Sequence, residues 1–212
     1  MAERTPTKRQ ARAAATQDQL LGAAREVFEA KGYHATTVGA ITAAADTAHG
    51  TFYLYFKNKE DAFAKVMELV TGELFDQAGG RWDVGDPYTS IEASMRAFLE
   101  VFTAHRGLWR CALEASFTSP SIEAMWLGIR QSFVDRIERH LRHLDAAGML
   151  RPLDPALTAN ALGSMVEWTA TTRFVLDTPP ASDALEDAVR NFTDLWYHAI
   201  FPDGAEGGPP AR

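Results

Sequence analysis

The stretch DTAHGTFYLYFKNKEDAF, residues 46–63, decides how this chain folds and what it binds. Its middle, Phe52 to Phe56, is entirely aromatic or aliphatic, and lysines and acidic residues follow at once. Side chains of the first kind usually lie in a protein core, whereas lysines usually face solvent. Because both kinds occur within one or two helical turns, we expect this segment to need a binding partner as well as a core.

A helix-turn-helix accounts for this mixture. Thr37 can cap a short helix that runs through Ala45, and a tight turn then leads to a second short helix, His49–Phe56. In the second helix, Phe52 and Phe56 are four residues apart, so both face inward. The opposite side carries imidazole, hydroxyl and phenol groups, which can reach the bases and phosphates of a DNA major groove. The segment therefore predicts a double-stranded DNA partner.

Residues on either side of these aromatic side chains support the same interpretation. Gly50 has no side chain, so the backbone can approach the groove closely. Asn58 caps the next helix, and Lys59 lies in its first turn. The lysine amine, the free amides of that turn and the helix dipole can together bind one phosphate.

Charge is distributed unevenly along the 212 residues. The formal net charge is −7, but residues 1–60 carry eight Lys or Arg against six Asp or Glu, whereas the remainder carries 13 against 22. An acidic body repels a polyanion, while the amino-terminal segment tolerates one. We therefore expect any nucleic-acid contact in the amino-terminal part of the chain.

Other features of the composition favour a cytoplasmic protein without a membrane partner. No apolar run approaches the roughly 18 residues of a membrane helix, and the amino terminus lacks the apolar core of a signal peptide. The single cysteine, Cys111, excludes an internal disulfide and fits a reducing compartment. It also lacks basic neighbours and a resolving cysteine, so we do not expect a redox role.

Apolar residues recur at helical spacing almost throughout the chain, and strand-like alternation is nearly absent. We therefore predict an all-α fold of about nine helices. The capping box of Thr16 and Gln19 is expected to open the first helix, and Gly32 to end it. Three later helices begin at a capping side chain followed by proline: Asp86-Pro87, Ser119-Pro120 and Asp154-Pro155.

The chain divides into four expected segments. The first is basic and is expected to be disordered; its Lys8, Arg9 and Arg12 either reach the DNA backbone or minor groove or only aid solubility. The last is rich in Gly and Pro and is also expected to be disordered. The segments are a basic arm, 1–15; the helix-turn-helix domain, 16–63; a ligand-binding and dimerisation domain, 64–201; and a tail, 202–212.

The run TTVGAITAAADTAHGTFYLYFKNKEDAF, residues 36–63, resembles the amino-terminal domain of the TetR family of bacterial transcriptional regulators. The resemblance covers about residues 16–65. It implies a homodimer with one helix-turn-helix per subunit and a carboxy-terminal domain that binds a ligand and dimerises. The most specific positions are Thr37, Val38, Ile41, Ala44, Thr51, Tyr53, Phe56, Lys59 and Glu60.

The resemblance also implies which side chains contact DNA. Three positions depart from the family pattern: Asp46 replaces the common turn glycine, Ala48 replaces the frequent serine cap, and Gly39 stands where some members hold a base-reading arginine. The operator sequence is therefore not predictable. Phosphate contacts are implied for Thr37, Thr51, Tyr55 and Lys59, and base contacts for His49, Gly50, Tyr53 and Leu54, which is often aromatic in relatives.

Large aromatic side chains in the carboxy-terminal domain predict an apolar cavity. Most of them must be core, but bulky rings from several helices pack tightly only with effort. Asn160, Glu167 and Arg173 either give such a cavity polar contacts or form interior ion pairs and interface contacts. A small apolar or aromatic effector is expected among Phe98, Phe102, Trp109, Phe133 and Trp168.

The last two long helices are expected to form the dimer interface, because a terminal helix this apolar must cover another surface. Two such helices from each subunit make a four-helix interface, which fixes the distance between the recognition helices. The expected interface residues are Met165, Trp168, Thr172, Phe192, Trp196 and Ala199.

These expectations describe a ligand-responsive repressor that binds a palindromic operator as a dimer. An activator or ligand-independent regulator of the same family stays open, as does a helical small-molecule-binding or scaffold protein with a vestigial motif. We expect no enzyme, cofactor or metal, because no phosphate loop or nucleophile elbow is present. His140 and His143 stand beside Arg139 and Arg142, which is typical of a solvated face rather than a metal site.

Overall fold

The computed structural model describes residues 7–77, 82–176, 183–204 and 208. Within these residues it contains nine α-helices, one π-helix and no β-strand, which confirms the predicted all-α fold. None of the described helices is both long enough and apolar enough to cross a membrane. The helices are α1 (Lys8–Ala35), α2 (Val38–Ala44), α3 (His49–Phe52), α4 (Lys59–Gln77), α5 (Pro87–Ala104), α6 (Arg106–Ser116), α7 (Pro120–Ala146), α8 (Pro155–Ala170), a π-helix (Thr171–Leu176) that continues α8, and α9 (Asp183–Ile200).

The first helix begins well before Thr16, where the sequence predicted it. A second capping box starts it: the Thr7 hydroxyl accepts a hydrogen bond from Gln10 N at 3.3 Å, and Gln10 Oε1 accepts one from Thr7 N at 2.9 Å. The prediction of a disordered arm is therefore wrong for residues 8–15, which are helical and exposed. Residues 1–6 lie outside the described part of the chain.

Helices α1 to α4 pack around a small aromatic core. Phe28 and Phe63 meet edge to face with their ring centroids 4.8 Å apart, and Phe52 and Phe56 are both buried, as their four-residue spacing predicted. Fully burying each such ring contributes about 1.5–3 kcal/mol. The core therefore fixes how the helix-turn-helix sits on α1.

Helices α5 to α9 form the larger body. Each predicted proline-marked start is confirmed, because the side chains of Asp86, Ser119 and Asp154 accept hydrogen bonds from backbone amides three residues further on, at 3.2, 3.4 and 2.8 Å. The helix that begins after Asp154 changes to a π-helix at Thr171. Helix α4 belongs to both parts of the molecule. Its first residues complete the helix-turn-helix region, residues 37–60, which we call the recognition segment, and its end borders the body.

Candidate nucleic-acid interface and apolar cavity

The turn between α2 and α3 holds its shape without the usual glycine. Asp46 adopts a positive φ of 46°, a conformation that aspartate tolerates better than most residues. Gln19 of α1 donates a hydrogen bond to Ala45 O at 2.7 Å, and Thr47 N donates to Thr42 O at 2.9 Å. Ala48 supplies no side-chain cap to α3, so the turn is held by these bonds to the end of α2 rather than by a cap on α3.

The outward side of α3 and the turn after it exposes a cluster of potential DNA contacts. Tyr53 is 53% exposed and Leu54 is 78% exposed, and the His49 ring lies 5.5 Å from that of Tyr53. A side chain added at Gly50 would meet no protein atom within 4 Å, so the space in front of this residue is open. The four residues form one surface, which we call the recognition surface.

The second short helix is shorter than the predicted His49–Phe56. It ends at Phe52, because Leu54 N and Tyr55 N bond to carbonyls three residues back, at 3.2 and 3.0 Å, which tightens the chain into a turn. Thr51 and Tyr55 are partly exposed at the edge of the recognition surface.

Thr37 caps α2 and is exposed. Its hydroxyl accepts a hydrogen bond from Ala40 N at 3.1 Å, as the capping pattern predicted. Thr37 therefore lies at an amino-terminal helix end, where an anion is stabilised by the helix dipole.

The start of α4 is a second potential phosphate site. Asn58 caps it by accepting a hydrogen bond from Asp61 N at 2.8 Å, which confirms the predicted cap. The Lys59 ammonium donates to Tyr33 O at 2.9 Å and lies 4.5 Å from the centre of the Tyr33 ring. Lys59 thus has an internal partner that the sequence did not predict, and its charge remains beside the helix start.

Glu60 links the recognition segment to the body, a role that sequence reasoning missed. Its two carboxylate oxygens accept hydrogen bonds from the hydroxyls of Ser119 and Ser121 at 2.9 and 3.2 Å. Burial, followed by the charge and hydrogen bond of Glu60, raises the pKa of Tyr33 to about 12. Because Ser119 also caps α7, Glu60 joins the start of α4 to the start of α7.

An apolar cavity of about 110 Å³ lies inside the body. Its wall includes four of the five predicted residues, Phe98, Phe102, Trp109 and Phe133. Their rings form a continuous series: the centroids of Trp109 and Phe102 are 5.0 Å apart, those of Phe102 and Phe98 are 5.3 Å apart, and those of Phe98 and Phe133 are 5.7 Å apart. Rings from α5, α6 and α7 therefore meet around one interior volume.

The fifth predicted residue, Trp168, does not line the cavity, and that prediction is wrong. It is 63% exposed, whereas Gly163, Val166 and Glu167 of the same helix border the cavity. Trp168 follows Val166 by two residues, which is about 200° around an α-helix. It therefore points away from the cavity.

His140 and Arg136 border the cavity too, so the prediction that His140 lies on a solvated face is wrong. Its ring stacks on Trp82 with the centroids 4.9 Å apart. Arg136 donates a hydrogen bond to Phe75 O at 3.2 Å, and burial, reinforced by the charge of Arg139, lowers its pKa. Arg136 and His140 follow Phe133 by three and seven residues, so the helical period of α7 places them on the same face as Phe133 and could have predicted this position.

The wall also contains an ion pair. Arg130 Nε donates to Glu167 Oε2 at 2.8 Å, and the same guanidinium bonds to Ser164 and, at 3.4 Å, to Asn160. Burial raises the pKa of Glu167, and the Arg130 charge opposes that rise. Of the roles predicted for Glu167 and Asn160, the structure shows the ion-pair network. Arg173 is exposed.

Two family descriptions match the sequence. "Bacterial regulatory proteins, tetR family" matches residues 20–66, which include the helix-turn-helix. "Transcriptional regulator EthR, C-terminal domain" matches residues 91–202, more than half of the chain, from α5 to α9. The chain belongs to the TetR family of transcriptional regulators. The sequence resemblance is thereby confirmed, and the family's DNA-binding helix-turn-helix is the segment from α2 to α3.

Other members of the TetR family align with most of the chain. The fatty acid metabolism regulator protein of Bacillus subtilis (strain 168) is 27% identical over 179 residues, which are 81% of this chain and 90% of that protein. The HTH-type transcriptional repressor BepR of Brucella suis biovar 1 (strain 1330) is 27% identical over 191 residues, which are 89% and 83% of the two chains. These relatives are transcriptional regulators rather than enzymes.

A solved TetR-type structure has the same fold. SmeT, the repressor of the Stenotrophomonas maltophilia multidrug efflux pump SmeDEF, matches with a TM-score of 0.74 and 24% identity over 94% of this chain and 98% of SmeT. A SmeT–triclosan complex matches with a TM-score of 0.70 and 25% identity over 93% and 98% of the chains. The similarity covers both the helix-turn-helix and the body.

Two of the predicted dimer residues of this TetR-family regulator are buried within the protomer. Phe192 is 6% exposed and Trp196 is 5% exposed, and Trp196 borders the cavity and meets Trp82 edge to face. Their assignment to an interface is therefore wrong, because α9 uses this face to pack on α5. Of the others, Trp168 and Ala199 are exposed, and Met165 and Thr172 are partly exposed.

Proposed function

We propose that this TetR-family regulator is a repressor that binds a palindromic operator as a homodimer and is released by a small apolar or aromatic effector. The observation that carries the proposal is the physical link between the cavity and the recognition segment. Helix α7 supplies Phe133 and its neighbours to the cavity wall, and its capping residue, Ser119, is bonded to Glu60 at the start of α4.

The recognition surface is proposed to enter the major groove. Tyr53 and Leu54 are large side chains left exposed at the end of a short helix, and His49 stands one turn earlier. Thr37 and the start of α4 then lie at helix ends that favour phosphate groups. Phosphate contacts position the protein on DNA, whereas the groove-facing side chains select the sequence.

The first turns of α1 are proposed to extend this DNA-binding surface. Lys8, Arg12 and Gln19 follow one another at spacings of four and seven residues, so they share one side of α1. Gln19 contacts the turn of the helix-turn-helix through Ala45. Lys8 and Arg12 are exposed on that side, whereas Arg9 lies about 100° around the helix from Lys8.

The dimer interface is proposed to use the outer faces of α8 and α9. Leu157, Trp168 and Leu195 are 70%, 63% and 53% exposed. Exposed apolar residues of this size on two adjacent carboxy-terminal elements favour a protein partner. To bind successive major grooves, a second copy of the chain placed there has to hold the two recognition surfaces roughly 34–36 Å apart.

The effector is proposed to be predominantly apolar, because apolar side chains, many of them aromatic, form most of the cavity wall and the wall carboxylate, Glu167, already pairs with Arg130. The aromatic ligand of the SmeT–triclosan complex supports this class. An occupant that separates the cavity helices would move α7 and, through Ser119 and Glu60, the start of α4. It would have to favour the released state by a few kcal/mol to empty the operator.

Selection of bound fragments from genomic DNA by the full-length protein tests this proposal. A palindromic site with half-sites about one helical turn apart is the expected product. A screen of aromatic compounds should then find one that releases this site and raises the melting temperature at the same concentrations. Enrichment of no site would contradict the operator, and a compound that increases transcription from a promoter carrying the site would instead indicate an activator.

A further inference from the structure

Two indole N–H groups in the cavity wall have no hydrogen-bond acceptor among the described residues. Trp109 and Trp196 both border the cavity, and they are 2% and 5% exposed. The Nε1 atom of each is buried and bonds to no other group in the structure. A buried donor without an acceptor costs free energy, because it has given up its hydrogen bonds to water without replacing them.

A third indole in the same wall behaves differently. Trp82 also borders the cavity, and its Nε1 donates a hydrogen bond to the Ser94 hydroxyl at 3.1 Å. Aromatic packing in this wall is therefore compatible with a satisfied indole. The missing acceptors of Trp109 and Trp196 are therefore not a general consequence of aromatic packing in this wall.

The two unsatisfied donors belong to different parts of the wall. Trp109 lies on α6, stacked on Phe102 and edge to face with Trp126. Trp196 lies on α9, edge to face with Trp82. An occupant with one acceptor group could satisfy either donor, and an elongated occupant with two could satisfy both.

The wall carboxylate does not accept a hydrogen bond from either of these donors in the described structure. Glu167, the acidic residue that borders the cavity, already accepts from Arg130 at 2.8 Å. The torsion that turns an indole ring about its Cβ–Cγ bond is soft, and both residues border the cavity. A rotation of the ring would therefore present the N–H to an acceptor held in the cavity.

We propose that the effector carries a hydrogen-bond acceptor, such as a carbonyl, ether or nitro oxygen, that is bound by the indole N–H of Trp109 or Trp196. This inference rests on the proposed function of the cavity as the effector site. It separates acceptor-bearing aromatic molecules from plain hydrocarbons of the same shape, which would leave both donors unsatisfied.

Two probes of nearly identical shape test the inference, acetophenone and α-methylstyrene, in which a methylene group replaces the carbonyl oxygen. The full-length protein is labelled with ¹⁵N in its five tryptophans, and the indole resonances are assigned with single Trp→Phe variants. Acetophenone is expected to move the Trp109 or Trp196 N–H resonance downfield, as a new hydrogen bond does. α-Methylstyrene is expected to leave that resonance without this downfield shift.

The affinities of the two probes give a second readout. Because they fill the same volume, the ratio of their dissociation constants isolates the carbonyl oxygen. The preference for acetophenone is expected to fall about tenfold in Trp109→Phe or Trp196→Phe. Trp82→Phe is the matched control: it removes a cavity indole whose N–H already donates to Ser94, and the preference should persist.

The failures of the two proposals are distinguishable. Equal resonance shifts with both probes, or an equal loss of preference in all three variants, would overturn the acceptor requirement and leave the cavity as an effector site. Failure of both probes to bind or to perturb any indole up to their solubility limits would overturn the cavity as an effector site, and the acceptor requirement with it.

Discussion

The recognition surface and the cavity both depend on aromatic side chains, but they are assembled over different distances along the chain. Phe52 and Tyr53 are adjacent residues, one buried and one exposed, so a few residues make both the anchor and the contact. The cavity instead needs rings from Phe75 on α4 to Trp196 on α9. The first region is therefore fixed locally, whereas the second depends on the spacing of several helices and responds to an occupant.

The largest expected effect comes from removing the local anchor. Phe52→Ala deletes a fully buried ring and should lower the free energy of unfolding by about 3–5 kcal/mol. Tyr53→Ala, one residue further on, should change it by less than about 0.5 kcal/mol while weakening DNA binding. Denaturant unfolding of both variants measures the contribution of each residue to stability, and a DNA-binding titration measures its contribution to DNA affinity. Equal losses of stability would contradict the division between the two residues.

A substitution that fills the cavity tests the second region separately. Gly163 borders it, and a Cβ atom there would meet Ile137 Cδ1, the flexible end of a side chain, at 3.2 Å. Gly163→Leu should weaken acetophenone binding at least about tenfold, because its side chain takes the occupant's space. Calorimetric titration with acetophenone checks this outcome, and an unchanged acetophenone affinity would contradict occupancy of the space beside Gly163.

The link between the regions is expected to have a smaller effect on stability. Glu60→Gln removes the charge that accepts from Ser119 and Ser121, so unfolding should require about 1 kcal/mol less. The factor by which an effector weakens DNA binding should also fall. Glu68→Gln is the matched control, since Glu68 is an exposed carboxylate of α4 paired only with Lys65 in the described structure. Indistinguishable results for the two variants would rule out a coupling role for Glu60.

The smallest effect is expected at the edge of the recognition surface. Arg12→Ala should lower the slope of log affinity against log salt by about one unit on a random-sequence duplex, because one phosphate contact is lost. Arg9→Ala should lower it less, since Arg9 lies on another side of α1. Equal slopes for both variants and the unmodified protein would mean that this part of α1 does not meet DNA.

The difference between the regions also decides what the sequence could predict. Phe52 and Phe56 were placed correctly because a four-residue spacing and a nearby cap are sufficient to orient a short helix. The start of α1 was predicted too late in the sequence. Thr7 and Thr16 both open acceptable capping boxes, and the local pattern alone does not choose between them.

The predictions that failed concern contacts between residues that are far apart in the sequence. Helix α8 has apolar residues on opposite sides, so helical spacing could not tell that Val166 faces the cavity and Trp168 faces solvent. Phe192 and Trp196 suit a core and an interface equally well, since both environments select large apolar side chains. The contact of Glu60 with Ser119 joins residues 59 positions apart, and no local pattern predicts such a pair.

The most direct test of the central claim is the affinity of an effector for the protein with and without its operator. The probe is a compound that releases a selected operator duplex, and its dissociation constant is measured by calorimetry in both states. Because coupling between two sites is reciprocal, the compound should bind the operator-bound protein more weakly by the same factor by which it weakens operator binding, at least about tenfold. Equal dissociation constants in the two states would contradict a link between the cavity and the recognition surface.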